Sequence, residues 1–218
     1  MDILGIIIGL VVLIYSSILH EIAHGYFAYR LGDPTAKILG RLTLNPRSHI
    51  DLWMSILIPI MTYVSSAGTF IFGGAKPVPV DTFNLRDGIK DLALVSVVGP
   101  LTNVALAIIA ALLTHLFYPG FGFYEAAGSN LGGFILTQIV RWNLLLAIFN
   151  LMPIPPLDGS RLIALLLPKK EAAAYLSLGS GPFGFMILLF LLFFPLGGFS
   201  LMGIVGNLID LSLRLLGF

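Results

Sequence analysis

The sequence predicts an all-α polytopic membrane protein, with about five to six helices that cross or half-cross the bilayer. Three observations carry this reading. Of 218 residues, 57% are apolar and only 11% are charged, against roughly 25% charged in a soluble domain. Mean hydropathy is +0.98. The apolar residues also gather in long runs, at 3–31, 52–72, 92–117 and 131–152, which match or approach the ~20 residues a helix needs to cross the hydrocarbon core.

Composition narrows the function. A net charge of +1 gives no reason to expect a nucleic-acid partner, and the absence of cysteine excludes disulfides, thiolate nucleophiles and Cys-ligated zinc. Any metal must be held by His, Asp, Glu or Asn. The first run lacks a basic n-region and an Ala-x-Ala site, so it does not read as a cleavable signal peptide. With no repeat or appended soluble domain, the expectation is one integral membrane domain over 1–218, with a core at 1–168 and C-terminal helices at 181–218.

The first run ends in His20-Glu21-Ile22-Ala23-His24. Positions four apart share a helix face, so both imidazoles can turn toward one ion, while Glu21 stands about 100° round from His20. This is the H-E-x-x-H pattern of zinc hydrolases, with two imidazole ligands and a glutamate that handles protons. Arg30 marks a water boundary, which puts the histidines roughly 9–15 Å beneath it along a straight helix.

A polar connector follows over 32–51. Asn45-Pro46 favours a turn, and His49 and Asp51 are further ligand candidates, although His49 suits a packing role better. The 52–72 run is broken by Pro59 and Ser65-Ser66-Ala67-Gly68 and reads as a span or, preferably, a re-entrant segment. In Ala75-Lys76-Pro77-Val78-Pro79-Val80 the alternating prolines suit a short extended edge strand or hairpin. There the N–H groups of Val78 and Val80 could hold an unwound substrate segment by edge pairing.

The next run contains Gly99-Pro100-Leu101-Thr102-Asn103. Its small residues permit close helix contact, and Asn103 suits either a helix–helix hydrogen bond or a site role. His115 reads as interfacial. Arg141, within the 131–152 run, reads as a buried partner for a carboxylate or a lining of a water-filled cavity. That run ends in Asn150-Leu151-Met152-Pro153-Ile154-Pro155-Pro156-Leu157-Asp158-Gly159. Three prolines within four positions unwind the backbone. Asp158 could then simply cap the following helix, or it could face His20 and His24 as a third ligand and leave a fourth position for water.

The blocks at 20–24, 99–103 and 150–159 together resemble the site-2 protease family of intramembrane zinc metalloproteases. The connector at 44–51 and the stretch at 75–80 are similar to its compact prokaryotic branch, without a PDZ or CBS domain. The resemblance implies Zn²⁺ held by His20, His24 and Asp158, with Glu21 as the general base. It also implies substrate contact at Asn150, to which Asn103, Val78 and Val80 are added as candidates. The activity implied is hydrolysis of peptide bonds in or near transmembrane helices of membrane proteins, as in regulated intramembrane proteolysis. The partners are then a transmembrane protein substrate and the lipid bilayer, with no nucleic acid. The location implied is the cell membrane, multi-pass, with the active site within the bilayer near the cytoplasmic face. Positive-inside counting agrees if 52–72 makes no net crossing, with Arg161, Lys169, Lys170 and Arg214 on the cytoplasmic side. The competing class is a non-proteolytic metal-binding membrane protein, either a carrier or a helix-binding pseudoprotease.

Overall fold

The computed structural model describes residues 3–65, 73–179, 181–194 and 200–218, all helical or irregular. Among the described residues, three helices are long and apolar enough to cross a membrane: α1 (Ile3–Arg30), α4 (Gly88–Phe117) and α6 (Leu131–Asn150). Between them lie α2 (Thr35–Ile38), a 3₁₀ turn (Pro46–His49), a π-helical turn (Leu52–Leu57) running into α3 (Ile58–Ser65), and α5 (Phe123–Ser129). After α6 come α7 (Gly159–Ala164), α8 (Lys169–Ser177), α9 (Gly181–Phe193) and α10 (Leu201–Leu215).

α1, α4 and α6 pack on one another, and small residues make their buried faces. These include Gly9, Ser16 and Gly25 on α1, Ser96, Gly99 and Ala107 on α4, and Gly133 and Ala147 on α6. Lipid is as apolar as leucine, so helices in a bilayer associate through close backbone approach, which small side chains allow. Large apolar residues such as Leu10, Val11, Leu112 and Leu116 face outward. The Asn130 side chain caps α6 by accepting from the Gly133 N–H at 3.1 Å. The helix stops at Asn150, just before the proline-rich turn.

The strand or hairpin expected at 75–80 is not formed among the described residues, where no residue has strand geometry. Pro77 and Pro79 have no N–H to give a ladder, and the Val78 N–H is already bonded to Glu21. The segment is instead a strap laid against α1. Gly74 O accepts from Ser55 Oγ at 2.8 Å, Lys76 N–H donates to His49 O at 2.7 Å, and the Arg41 guanidinium donates to Lys76 O at 2.7 Å. At its far end, buried Asp33 accepts from the Asp81 N–H (2.8 Å) and Asn84 Nδ2 (3.1 Å). Burial pushes the Asp33 carboxyl up. Hydrogen bonds from Thr35, Asp81 and Asn84 more than offset this and hold it below the usual carboxylate range. The contacts of 74–76 with 49–55 join described residues on either side of 66–72, while residues 66–72, on which the crossing of the 52–72 run turns, lie outside the described residues.

The C-terminal end corrects one expectation. Leu201 packs with Leu157, Leu188 and Leu192, while Ile209 and Leu213 pack on Ala107, Val140 and Leu144. His115, near the end of α4, bonds Leu216 O at 2.7 Å and stacks on Phe218. α10 therefore runs opposite to α6. Arg214 stands at the 118–130 end of the bundle, away from Arg161, Lys169 and Lys170.

Candidate metal centre

Each component of the site comes from a different element. α1 supplies His20 and His24 one helical turn apart. The unwound 151–158 turn brings in Asp158, and α4 passes behind the imidazoles at Gly99. That glycine is required by space: a Cβ there would lie 2.4 Å from His24 Nε2 and 2.8 Å from His20 Cε1. Gly159 is required too, since its Cβ would meet Leu151 O at 2.2 Å. The turn can fold under α6 only with hydrogen at that position.

The histidines and the aspartate converge. Asp158 Oδ2 lies 3.1 Å from both His20 Nε2 and His24 Nε2, which are themselves 2.9 Å apart. All three residues are buried. His20 Nδ1 faces Asn103 Oδ1 at 2.6 Å and His24 Nδ1 faces Val95 O at 2.7 Å. Both partners are acceptors, so each Nδ1 carries the ring hydrogen, and a neutral ring then presents its Nε2 lone pair. Two imidazole nitrogens and a carboxylate oxygen thus converge on one buried point. That donor set suits a cation. Donor atoms about 2.0–2.1 Å from a tetrahedral zinc stand roughly 3.3 Å apart, so the donor set and its spacing fit that ion after a relaxation of a few tenths of an ångström.

Asp158 does not act as a side-chain cap. It occupies the N-cap position of α7 but makes no side-chain capping bond. Its Oδ2 faces the histidines, and its Oδ1 accepts from Arg161 at 3.0 Å. Arg161 also donates to Ser96 Oγ at 3.1 Å, tying the aspartate to α4. Glu21 is half-buried beside the cluster, and its Oε2 accepts the Val78 N–H at 2.6 Å. That bond fixes one carboxylate oxygen and leaves Oε1 without a hydrogen-bond partner among the described residues.

The other candidates fall elsewhere. Val78 is buried and its N–H is committed to Glu21, so it is not free to pair with substrate. Val80 is half-buried. Asn150 sits at the end of α6, donating to Leu146 O at 3.0 Å and not to the cluster. His49 bonds Thr43 O at 2.8 Å and lies outside the metal-ligating group, as does Asp51. Arg141 is exposed, which excludes the buried-partner alternative for it.

Asn103 has no surface to offer substrate. It is fully buried, and its Nδ2 donates to Asn143 Oδ1 at 2.8 Å and toward Ser16 O at 3.4 Å. Asn143 Nδ2 in turn donates to Ser16 Oγ at 2.9 Å. This network joins α1, α4 and α6 behind His20 and orients its ring. Ser16, Arg161 and the Val95 carbonyl were not legible as site groups, and the one available signal was polarity inside apolar runs. Replacing Asn103 by Leu is expected to weaken zinc binding about 10–100-fold, the usual range for an outer-shell partner of a ligating histidine. Competitive titration with a chelator measures it.

Comparisons with known proteins give the family. The model of peptidase family M50 matches residues 7–140. The chain belongs to peptidase family M50. The match covers both histidines, Glu21 and Asn103 but ends before Asp158, whose placement comes from the fold. Among its relatives, the Bacillus subtilis protein YwhC, named as a candidate zinc metalloprotease, is 40% identical over 192 residues, 88% of this chain and 82% of its own length. Rip2 of Mycobacterium tuberculosis, named likewise, is 34% identical over 65% of this chain and 50% of its own length. A Methanocaldococcus jannaschii protein with the same description is 30% identical over 74% of this chain and 72% of its own. No solved structure gives a significant match.

Proposed function

We propose that this M50 member is an intramembrane zinc metalloprotease that hydrolyses peptide bonds in or near transmembrane helices of membrane proteins. The observation that carries the reading is the buried convergence of His20 Nε2, His24 Nε2 and Asp158 Oδ2, beside a glutamate that ligation does not need. His20, His24 and Asp158 hold the zinc. When bound, zinc supplies Lewis acidity, polarising a scissile carbonyl and making water a better nucleophile. Glu21 Oε1, the oxygen left open by the Val78 contact, takes a proton from the attacking water and passes it to the leaving amine. Asn103 and Val95 O hold the two rings in register, and Arg161 holds Asp158.

Substrate is a membrane-spanning helix unwound locally, since paired helical backbone does not present a scissile carbonyl. Val80 and Asn150 are the proposed contacts, one on the strap and one at the end of α6. With 52–72 re-entrant, the histidine end of α1 faces the cytoplasm and the chain is multi-pass in the cell membrane. A metal carrier has less support: among the described residues there is one metal-ligating group, not a series along a path.

The test is cleavage of a reconstituted transmembrane substrate by the purified protein. Removing metal with a chelator is expected to abolish cleavage, and equimolar zinc to restore it. Cleavage that persists without metal would end the reading.

A further inference from the structure

The last two turns of α1 and the segment folded back on them frame a cleft that the metal site does not use. The Asp33 N–H donates to Ala28 O at 2.9 Å as the chain reverses, and α2 then packs along α1 with buried Ala36 against Gly25. The cleft between them, about 480 Å³, is lined by Tyr26, Tyr29, Lys37, Gly40, Leu42 and Thr43. Tyr26 stands about 200° round α1 from His24, so cleft and metal ligands lie on different faces. Lys37 Nζ donates to the Tyr29 hydroxyl oxygen at 2.9 Å and stands 4.3 Å from the ring centroid. The Tyr29 oxygen is the acceptor there, so its own hydrogen remains to donate. Lys37 and Arg30 are exposed, and among the described residues no ion pair joins either to a carboxylate.

We infer that this cleft binds the headgroup of one anionic phospholipid. Its phosphate is held by Lys37 Nζ and the Tyr29 O–H, and the upper part of an acyl chain lies against Tyr26 and Leu42. The level is right for a headgroup. α1 has 28 residues, of which about 20 cover the hydrocarbon core. Counted from its apolar start at Ile3, Tyr26 and Tyr29 fall at the interface, where tyrosines gather on membrane proteins. Ile38 and Leu39, next to Lys37, are 76% and 60% exposed. Apolar side chains flanking a cation on a short surface segment suit acyl chains on one side and headgroups on the other. Aromatic rings alone would also suit a choline, but Lys37 already covers Tyr29, and a cationic headgroup would meet like charge.

Native mass spectrometry of the purified full-length chain in mild detergent, titrated with phosphatidylglycerol, tests this without metal or substrate. Wild type is expected to retain one phosphatidylglycerol and to hold phosphatidylcholine about tenfold more weakly, the weight of one charged hydrogen bond. Excess inorganic phosphate should not displace the lipid. Lys37→Gln should weaken retention about tenfold for the same reason, Tyr29→Phe by less, and Lys37→Arg should keep it. Lys169→Gln, which removes an exposed cation on α8, should leave it unchanged. Both cleft side chains are exposed, and an unchanged helical circular dichroism spectrum reports that each variant folds. The two wild-type comparisons stand even where a variant does not. Phosphatidylcholine held as tightly, or normal retention in Lys37→Gln, would overturn the inference. Equal loss in Lys169→Gln would make the binding a general charge effect, and displacement by phosphate would make the cleft a free-anion site; either would overturn it too.

Discussion

Glu21→Gln is expected to keep its zinc and lose cleavage by about 10²–10⁴-fold, the contribution of a positioned general base. The three atoms that could hold a metal belong to His20, His24 and Asp158, so the substitution removes none of them. A glutamine oxygen can still accept the Val78 N–H, now 2.6 Å from Glu21 Oε2, so the strap stays in place. What disappears is a group able to take a proton from water. Zinc content by mass spectrometry and turnover of a transmembrane substrate separate the two effects. Loss of zinc together with activity would make Glu21 a structural or ligating residue.

Asp158→Ala is expected to act on the metal itself. It removes one of three protein donors and leaves Arg161 without the oxygen it holds at 3.0 Å. Zinc should fall from about one ion per chain to well below one, and activity with it, because a site with three protein ligands depends on each. Asp158→Asn keeps the shape of the turn and removes the negative charge, which separates ligation from folding. Full zinc occupancy in Asp158→Ala would move the third ligand elsewhere.

How far the sequence carried the site depended on whether side chains or the backbone did the work. His20, Glu21 and His24 were legible because a helical repeat fixes their faces. Asp158 was legible as a candidate because prolines unwind the chain beside it, although only the fold brings its carboxylate to the two histidines. Val78 was misread because its role belongs to a backbone N–H: extended spacing suggested a free edge, and Glu21 occupies it. Asn103 was seen as polar in a span, but its partners, Asn143 and Ser16, sit 40 and 87 positions away. Arg214 was placed at the wrong end because charge counting does not know where a 15-residue helix packs. The contact of His115 with Leu216 decides it.

X-ray absorption at the zinc edge of the purified, metal-loaded protein tests the central claim most directly. With four histidines and no cysteine in the chain, the coordination shell can be counted by its imidazoles. One zinc with two imidazoles and oxygen donors is expected, losing one oxygen donor in Asp158→Asn. Three or more imidazoles, or a shell unchanged by the Asp158 substitution, would contradict it.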